Sequence, residues 1–145
     1  GVGASYLTAL AGYLMFSRIT PKVGIGTDNH TQYATAALLS SGDLAIIVSY
    51  SGESGEILEI AKSLKQNGTK IICISRFLKS ALTSYSDITL LNGVEKRLFD
   101  VYTVPLKISE FFILEILYEE YFRRTKEDST KNRDIVLKAL TKKQY

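Results

Sequence analysis

Two short apolar runs constrain the fold more strongly than any other feature of the chain. They are Leu-Ala-Ile-Ile-Val-Ser at 44–49 and Lys-Ile-Ile-Cys-Ile-Ser at 70–75. Continuous apolar runs rich in β-branched residues are typical of strands that are buried on both faces of a parallel sheet. Between the two runs, apolar residues recur at helical spacing from about residue 55 to residue 67. The order of strand, helix and strand predicts a parallel β-α-β unit.

The same spacing rules predict the remaining elements. Helices are predicted over 5–17, 31–40, 104–124 and 130–141, one or two helical turns over 80–86, and a strand over 88–91, with 22–26 as a possible further strand. The alternation predicts the α/β class, as a three-layer α/β/α sandwich around a parallel sheet of the flavodoxin-like or Rossmann-like type. We expect residues 1–125 to form this domain and residues 126–145 to be its basic helical tail.

Composition and spacing also argue against several classes of protein. With 46% apolar residues, the 145-residue chain can bury the core of one ordinary domain. The single cysteine, Cys73, cannot form an internal disulfide, and we interpret it as a small core residue in a reducing, cytoplasmic setting. No Cys/His spacing predicts a metal site, and no cofactor is expected. No apolar stretch approaches the ~20 residues that span a bilayer.

The net charge of +3 is unevenly distributed. Residues 123–145 carry eight Lys or Arg against three Asp or Glu, with Tyr145 as the only aromatic residue. A basic tail can contact nucleic acid, but charges that are spread around a helix more often form a solvated face. We therefore expect this segment to be solvated, and we expect no membrane contact.

A glycine turn, Gly-Val-Gly-Ala-Ser at 1–5, leads into the first predicted helix. Glycine lets the backbone turn tightly, and the unpaired N–H groups and dipole of a helix N-terminus favour an anion. Ser5 can add a hydroxyl to such a site or can cap the helix. Tyr6 stands where a dinucleotide fingerprint requires a small residue, and no Gly-Lys-Ser/Thr of a P-loop occurs. Because such a turn normally follows a strand, we expect the chain to be part of something longer.

A serine turn, Ser-Tyr-Ser-Gly-Glu-Ser at 49–54, joins the first buried strand to the amphipathic helix. It places three seryl hydroxyls and one glycine at a helix N-terminus. Capping of that helix by Ser54 needs one hydroxyl and not three. Hydroxyls can donate to phosphate oxygens without supplying full positive charge, which suits a ligand that binds reversibly. We therefore predict that the serine turn binds phosphate and does more than cap the helix.

Ser-x-Ser-Gly-Glu-Ser/Thr after an apolar strand, together with an upstream Gly-x-Gly-x-Ser, resembles the SIS (sugar isomerase) domain over nearly all of the chain up to about Arg124. That domain occurs in sugar-phosphate isomerases, in the isomerase half of glucosamine-6-phosphate synthase and in RpiR-type bacterial transcription regulators. The resemblance implies a bound phosphorylated sugar. It implies contacts from both turns, namely Gly3, Ala4, Ser5, Ser49, Tyr50, Ser51, Gly52 and Ser54.

Within the family, the segments 27–30, 41–46 and 80–87 resemble the RpiR-type regulators, in which a helix-turn-helix domain precedes the SIS domain. The resemblance implies that the chain is the effector-binding domain of such a regulator, with DNA contacted only through a region that this chain does not include. The chain departs from the group at Leu106-Lys107, where a Ser-Arg pair is usual. The departure leaves the identity of the effector open.

A sugar-phosphate aldose–ketose isomerase is the alternative function. That reaction needs a base to move a proton between adjacent carbons. Glu53, Glu56 and Glu95 are candidate bases, although Glu53 can instead cap the helix or orient a hydroxyl. His30, the only histidine, is either a surface residue at a helix start or a ligand contact. No base–histidine pair emerges from the spacing, so we predict no catalytic residues and expect a ligand-sensing domain.

The middle of the helix predicted over 104–124 is apolar nearly all round, with the sequence Phe-Phe-Ile-Leu-Glu-Ile-Leu-Tyr at 111–118. Such a helix is usually buried on more than one side. We expect the sheet to cover one side and a partner chain to cover the other, in a homodimer or a dimer of dimers.

Overall fold

The computed structural model describes residues 1–93 and 104–142. Within these ranges the helices are α1 (Ala4–Phe16), α2 (Asn29–Leu38), α3 (Gly55–Gln66), α4 (Val104–Arg124) and α5 (Lys126–Thr141). The strands are β1 (Leu44–Val48), β2 (Lys70–Ser75) and β3 (Ile88–Leu91), and a short 3₁₀ turn, Leu82–Ser84, lies between β2 and β3. None of the helices in the described ranges is long and apolar enough to cross a lipid bilayer.

The three strands form one parallel sheet in the order β1-β2-β3. Ile46 of β1 pairs with Ile72 of β2, which in turn pairs with Ile88 of β3. Because the strands run in the same direction, their carboxyl ends lie together along one edge, which we call the carboxyl edge. Open parallel sheets bind their ligands beyond this edge.

Alternate side chains of the strands enter two cores, one on each face of the sheet. On one face, Ile47, Ile71 and Cys73 pack against α2, α3 and the 3₁₀ turn. On the other face, Val48 and Ile74 pack against α4 and partly buried residues of α1. Helices therefore cover both faces of a parallel sheet, which confirms the predicted α/β class. Burial raises the pKa of the Cys73 thiol to about 11, so this residue is a core side chain and not a reactive thiolate.

Helices α1 and α4 lie side by side and run in the same direction. Three contacts at successive turns define their register: the Thr8 hydroxyl donates to Glu110, Gly12 lies against Leu114, and the Phe16 ring packs edge-on against Tyr118 with ring centroids 5.6 Å apart. A Cβ atom added at Gly12 would lie 3.3 Å from Leu114 Cδ2, so the missing side chain permits the close approach. This register places the first turns of α1 and α4 at the same level, at the carboxyl edge.

Two predicted features differ from the structure. Residues 22–26 do not form a strand, and their backbone groups make no hydrogen bonds to other backbone groups among the described residues. Helix α5 begins at Lys126 and not at residue 130, and the carboxylates of Glu127 and Asp128 in its first turn interact favourably with the positive end of the helix dipole. The outer side of α4, which is expected to face a partner chain, is exposed in the single chain, with Ile108 61% and Phe112 65% accessible.

Candidate anion-binding site

The glycine turn enters α1 with a backbone that favours glycine. Gly3 precedes the helix with a φ of 56°, in the half of conformational space that other residues avoid, and no side chain caps the helix. The N–H groups of Ser5 and Tyr6 bond to the carbonyl oxygens of Val2 and Gly3, each at 3.1 Å. The N–H groups of Gly3 and Ala4 have no acceptor among the described residues, so they remain available to an anion.

The serine turn keeps its hydroxyl hydrogens available. Ser49 Oγ accepts from the Gly52 N–H and Ser51 Oγ accepts from the Glu53 N–H, each at 3.2 Å. A hydroxyl that accepts a hydrogen bond still has its own hydrogen to donate. Ser54 occupies the N-cap position of α3 but makes no side-chain capping bond. The hydrogens of the three hydroxyls therefore remain available to a ligand, and none of the three hydroxyls caps α3.

Contacts from the neighbouring strand and from the 3₁₀ turn hold the serine turn in place. The carbonyl oxygen of Tyr50 accepts from the Ser75 hydroxyl at 3.2 Å and from the Arg76 N–H at 3.1 Å. The Gly52 carbonyl accepts from the Leu82 N–H at 2.9 Å. Gly52 has a φ of 68°, and a Cβ atom there would lie 2.2 Å from Ser80 Oγ. Glycine is therefore required at this position by both conformation and space.

Glu53 binds the segment before the 3₁₀ turn. Its Oε1 accepts from the Ala81 N–H at 2.8 Å. The carboxylate thus neither caps α3 nor orients a seryl hydroxyl, the two roles considered from the sequence. It fixes the segment before the 3₁₀ turn to the serine turn.

The two turns lie next to each other at the carboxyl edge. A Cβ atom added at Gly1 would lie 3.1 Å from the carbonyl oxygen of Val48, the last residue of β1, after which the serine turn begins. The Gly1 carbonyl also accepts from Gln32 Nε2 at 3.2 Å, which joins the start of α2 to the glycine turn. The glycine turn, the beginning of the serine turn and the first turn of α2 therefore lie together.

The N-terminus of α2 differs from the other two because it carries its own anion. Asp28 Oδ1 accepts from the Thr31 N–H at 3.0 Å, and the Asp28 N–H donates to Thr31 Oγ1 at 3.1 Å. This reciprocal capping box lowers the pKa of Asp28, chiefly through the Thr31 N–H and then through its hydroxyl. The carboxylate occupies the place of an external anion, so α1 and α3 are the helix starts that remain open.

The other candidate residues make no described side-chain contact with the two turns. His30 lies in the first turn of α2 with an exposed side chain, and no described residue bonds to its ring. Glu56 is exposed on α3, as expected for a solvated charge. Glu95 lies outside the described residues. Among the described residues, no three or more His, Cys, Asp or Glu side chains are grouped in a way that could hold a metal ion.

A buried polar cluster beside α1 was not predicted from the sequence. Glu110 of α4 is fully buried, and its Oε2 accepts from the Thr8 hydroxyl at 2.5 Å and from Lys107 Nζ at 2.6 Å. Lys107 Nζ also donates to Thr8 Oγ1 at 3.1 Å. Thr8 and Glu110 are 102 residues apart, and neither stands in a recognisable motif, so only the pairing of α1 with α4 reveals them.

Two open depressions on the outer surface lie elsewhere. One is lined by α5 alone and the other by α4 and Lys126, mostly by exposed charged side chains. Neither includes a residue of the two turns. A row of side chains along one helix does not supply convergent polar groups, so the two turns remain the candidate site.

Comparison with known proteins places this geometry in a family. Residues 1–114 match the sequence profile of the SIS domain. An uncharacterized HTH-type transcriptional regulator of Haemophilus influenzae is 36% identical over 118 residues, which are 81% of this chain and 41% of that protein. The chain therefore spans less than half the length of this curated relative.

Solved structures share the fold. The Vibrio vulnificus NanR protein, complexed with ManNAc-6P, matches 100% of this chain and 55% of its own with a TM-score of 0.90 at 20% identity. The RpiR transcription factor of Sphaerobacter thermophilus (sugar isomerase domain) matches 94% of this chain and 74% of its own with a TM-score of 0.75 at 17% identity. Together with the profile match over most of the sequence, this fold and these two turns show that the chain belongs to the SIS domain family.

Proposed function

We propose that this chain is the phosphosugar-binding effector domain of an RpiR-type transcription regulator. The observation that carries the proposal is the pair of uncapped helix starts, α1 and α3, which lie side by side at the carboxyl edge with seryl hydroxyls that can still donate. Membership of the SIS family supports a phosphorylated sugar as ligand. The HTH-type relatives support a regulatory role for the whole protein, and the ManNAc-6P bound to NanR supports this class of effector.

The phosphate would lie between the two turns. The N–H groups of Gly3 and Ala4 and the hydroxyls of Ser5, Ser51 and Ser54 are the donors that the structure leaves open. Ser49 is buried and supports the turn through Gly52, with its own hydrogen free to reach the ligand. Neither turn carries Lys or Arg, so binding depends on dipoles and hydroxyls and stays reversible, as a sensor requires.

Regulation follows if the ligand binds one conformation of the protein better than another. The phosphate bridges the starts of α1 and α3 and so favours the arrangement in which these helices are held together. The DNA-binding part lies outside this chain, in a protein of the cytoplasm. Helix α5 is the solvated tail of the same domain, and the bond from Asn132 Nδ2 to the Ile19 carbonyl at 2.9 Å, which ties α5 to the end of α1, supports this assignment.

The outer face of α4 supports a homodimer as the assembled form. Ile108, Phe112 and Ile116 lie four residues apart on this face and are each more than half exposed. A row of large apolar side chains on one helix is typical of an interface between chains. A charge introduced by Phe112→Glu should shift the protein towards monomer in sedimentation velocity. The same change at Leu38, an isolated residue 85% exposed on α2, should leave the oligomeric state unchanged.

Thermal unfolding with a panel of phosphosugars tests the proposal. A ligand at a hundred times its dissociation constant stabilises the folded chain by about 2.7 kcal/mol. In a domain of this size that raises the midpoint by roughly 5–10 °C. The panel includes N-acetylhexosamine 6-phosphates, hexose 6-phosphates and pentose 5-phosphates, with the unphosphorylated sugars as matched controls. A panel without any shift would contradict the proposal, and turnover of a bound ligand to its isomer would favour the enzyme alternative.

A further inference from the structure

The exposed side of α5 carries a stripe of side chains that is basic and partly apolar. Another side of this helix holds it to the domain, since Ser129 is 1% exposed and Asn132 Nδ2 donates to the Ile19 carbonyl at 2.9 Å. From Lys131 to Lys142, exposed residues recur at positions i, i+4, i+7 and i+11, a spacing that places side chains on one face of a helix. We call these residues the basic stripe: Lys131, Ile135, Lys138 and Lys142.

The outer face of α4 carries a stripe of the same length and the opposite charge. From Ile108 to Glu119, exposed residues recur at the same four positions. We call these residues the acidic stripe: Ile108, Phe112, Glu115 and Glu119. Neither Glu115 nor Glu119 forms an ion pair with another described residue, so both carboxylates can pair with cations from elsewhere.

No described bond joins the two stripes within one chain. The contacts that connect α4 with α5 lie beside the joint at Thr125: Arg133 lies over the Phe122 ring at 5.2 Å, and Thr125 Oγ1 lies 2.7 Å from Ser129 Oγ. In the part of the chain that the structure describes, no hydrogen bond, ion pair or ring contact links a residue of one stripe to a residue of the other. Each stripe therefore exposes apolar and charged groups that a partner can match.

A second copy of the chain supplies the complement of both stripes at once. In a two-fold dimer, a contact from residue i of one copy to residue j of the other is repeated from j to i. The basic stripe of each copy can therefore lie on the acidic stripe of the other, which gives two equivalent contacts. Opposite charges that face each other across an interface favour this partner and this register. The apolar residues of both stripes leave water in the same contact.

We propose that the second copy covers α4 with its own α5, so that the basic stripe of each chain packs on the acidic stripe of the other. The inference rests on the proposed homodimer and names the surface of the second copy that completes it. The lysines pair with Glu115 and Glu119, and Ile135 packs against the apolar half of the acidic stripe. One side of α5 is then solvated in the single chain and covered in the dimer.

Sedimentation equilibrium of charge-reversed chains tests the assignment. The acidic-stripe variant combines Glu115→Lys with Glu119→Lys, and the basic-stripe variant combines Lys131→Glu with Lys138→Glu. Each variant alone should raise the dissociation constant of the dimer about a hundredfold, because like charges then face each other at both equivalent contacts. A dissociation constant that neither variant changes would overturn the proposal.

An equimolar mixture of the two variants shows whether the stripes meet between chains. In a mixed dimer, the reversed acidic stripe faces the reversed basic stripe, and the two unaltered stripes face each other. Both contacts regain opposite charges, so the mixture should dimerise about as tightly as the unaltered chain. A mixture that stays monomeric would mean that the stripes do not contact each other across the interface, and the proposal would be wrong.

The matched control reverses the same number of charges on another helix. Glu56 and Glu59 are exposed on α3, outside both stripes, and Glu56→Lys with Glu59→Lys alters the net charge as the acidic-stripe variant does. The dissociation constant of this control should equal that of the unaltered chain. An equally weakened dimer would show that net charge, and not the pairing of the stripes, governs association, which contradicts the proposal.

Thermal unfolding of the same variants separates this inference from the proposed function. The stripes include no residue of the two turns, so the monomeric variants should keep the rise in midpoint that a phosphosugar causes. An unaltered chain that is monomeric but shows this rise would overturn the inference alone. An unaltered chain that dimerises through the stripes without any such rise would contradict the proposed function and leave the interface standing.

Discussion

The starts of α2 and α3 both lie at the carboxyl edge. They differ in whether a side chain of the protein bonds to the unpaired N–H groups at the positive end of the helix. At α2, the Asp28 carboxylate accepts from the Thr31 N–H and completes a capping box. At α3, Ser54 stands in the capping position and makes no capping bond. A helix that supplies its own anion has no need of another, and a helix that leaves its N–H groups unpaired can bind one. The difference separates a structural helix start from one that is available to a ligand.

The largest expected effect comes from a substitution that gives α3 a carboxylate cap like that of α2. Ser54→Asp should cap α3 and raise the thermal midpoint, and should weaken phosphosugar binding about a hundredfold, which corresponds to about 2.7 kcal/mol of like-charge repulsion. Ser54→Asn, the neutral control, caps the helix without the charge and should lose far less affinity. Calorimetry at low and high salt measures both, and the loss in the aspartate variant should shrink with salt. Equal affinity in the two variants would contradict the electrostatic interpretation.

A smaller loss is expected when the shape of the serine turn is altered without changing its charge. Gly52→Ala forces an alanine to a φ of 68° and brings its Cβ within 2.2 Å of Ser80 Oγ. We expect about tenfold weaker phosphosugar binding and a lower midpoint, because the strained turn no longer presents its hydroxyls together. Gly42→Ala is the control, since a Cβ there meets nothing within 4 Å. Unchanged binding in Gly52→Ala would show that the turn tolerates another shape.

The smallest effect on binding is expected for substitutions at the start of α2. Asp28→Ala should leave phosphosugar affinity unchanged and lower the thermal midpoint, because it removes the cap alone. The folded-state pKa of Asp28 lies below its ordinary value, so its contribution to stability is full above about pH 4 and is lost as the pH falls through the folded pKa. Thermal scans from pH 7 to pH 2 should show this acid-side loss diminished in Asp28→Ala and in Asp28→Asn, although the asparagine keeps a cap. A loss of affinity in either variant would mean that α2 also binds the ligand.

Local patterns predicted most of the fold because the energetic causes are local. The strand at 70–75 and the strand at 88–91 are recognised by their apolar runs, and their bounds are confirmed by the structure. Helix α2 begins at Asn29 and not at residue 31, since the Asp28 cap extends it by two residues. Asp28 and Thr31 stand at capping-box spacing, a signal that could have located this start.

In the candidate site as well, features made by neighbouring residues were predicted, and contacts between residues distant in sequence were not. The two turns were predicted because their glycines and serines are contiguous in sequence, and the structure brings these turns together. Their role in ligand binding stays a prediction. Glu53 was ambiguous because its partner, the Ala81 N–H, is 28 residues away. Thr8 and Glu110 carried no sequence signal, and Lys107 stood out only as a departure from the family pattern, because their mutual contact depends on two helices that are adjacent only after folding.

The side-by-side packing of α1 and α4 also has a mechanical consequence. Two stiff helices that contact each other at three successive turns, over about 12 Å of α1, cannot slide or tilt independently. A displacement of the start of α1 therefore moves all of α4, including the outer face that carries Phe112. A ligand bound at the carboxyl edge would in this way displace the outer face of α4, because the two helices move together and no flexible linker is needed.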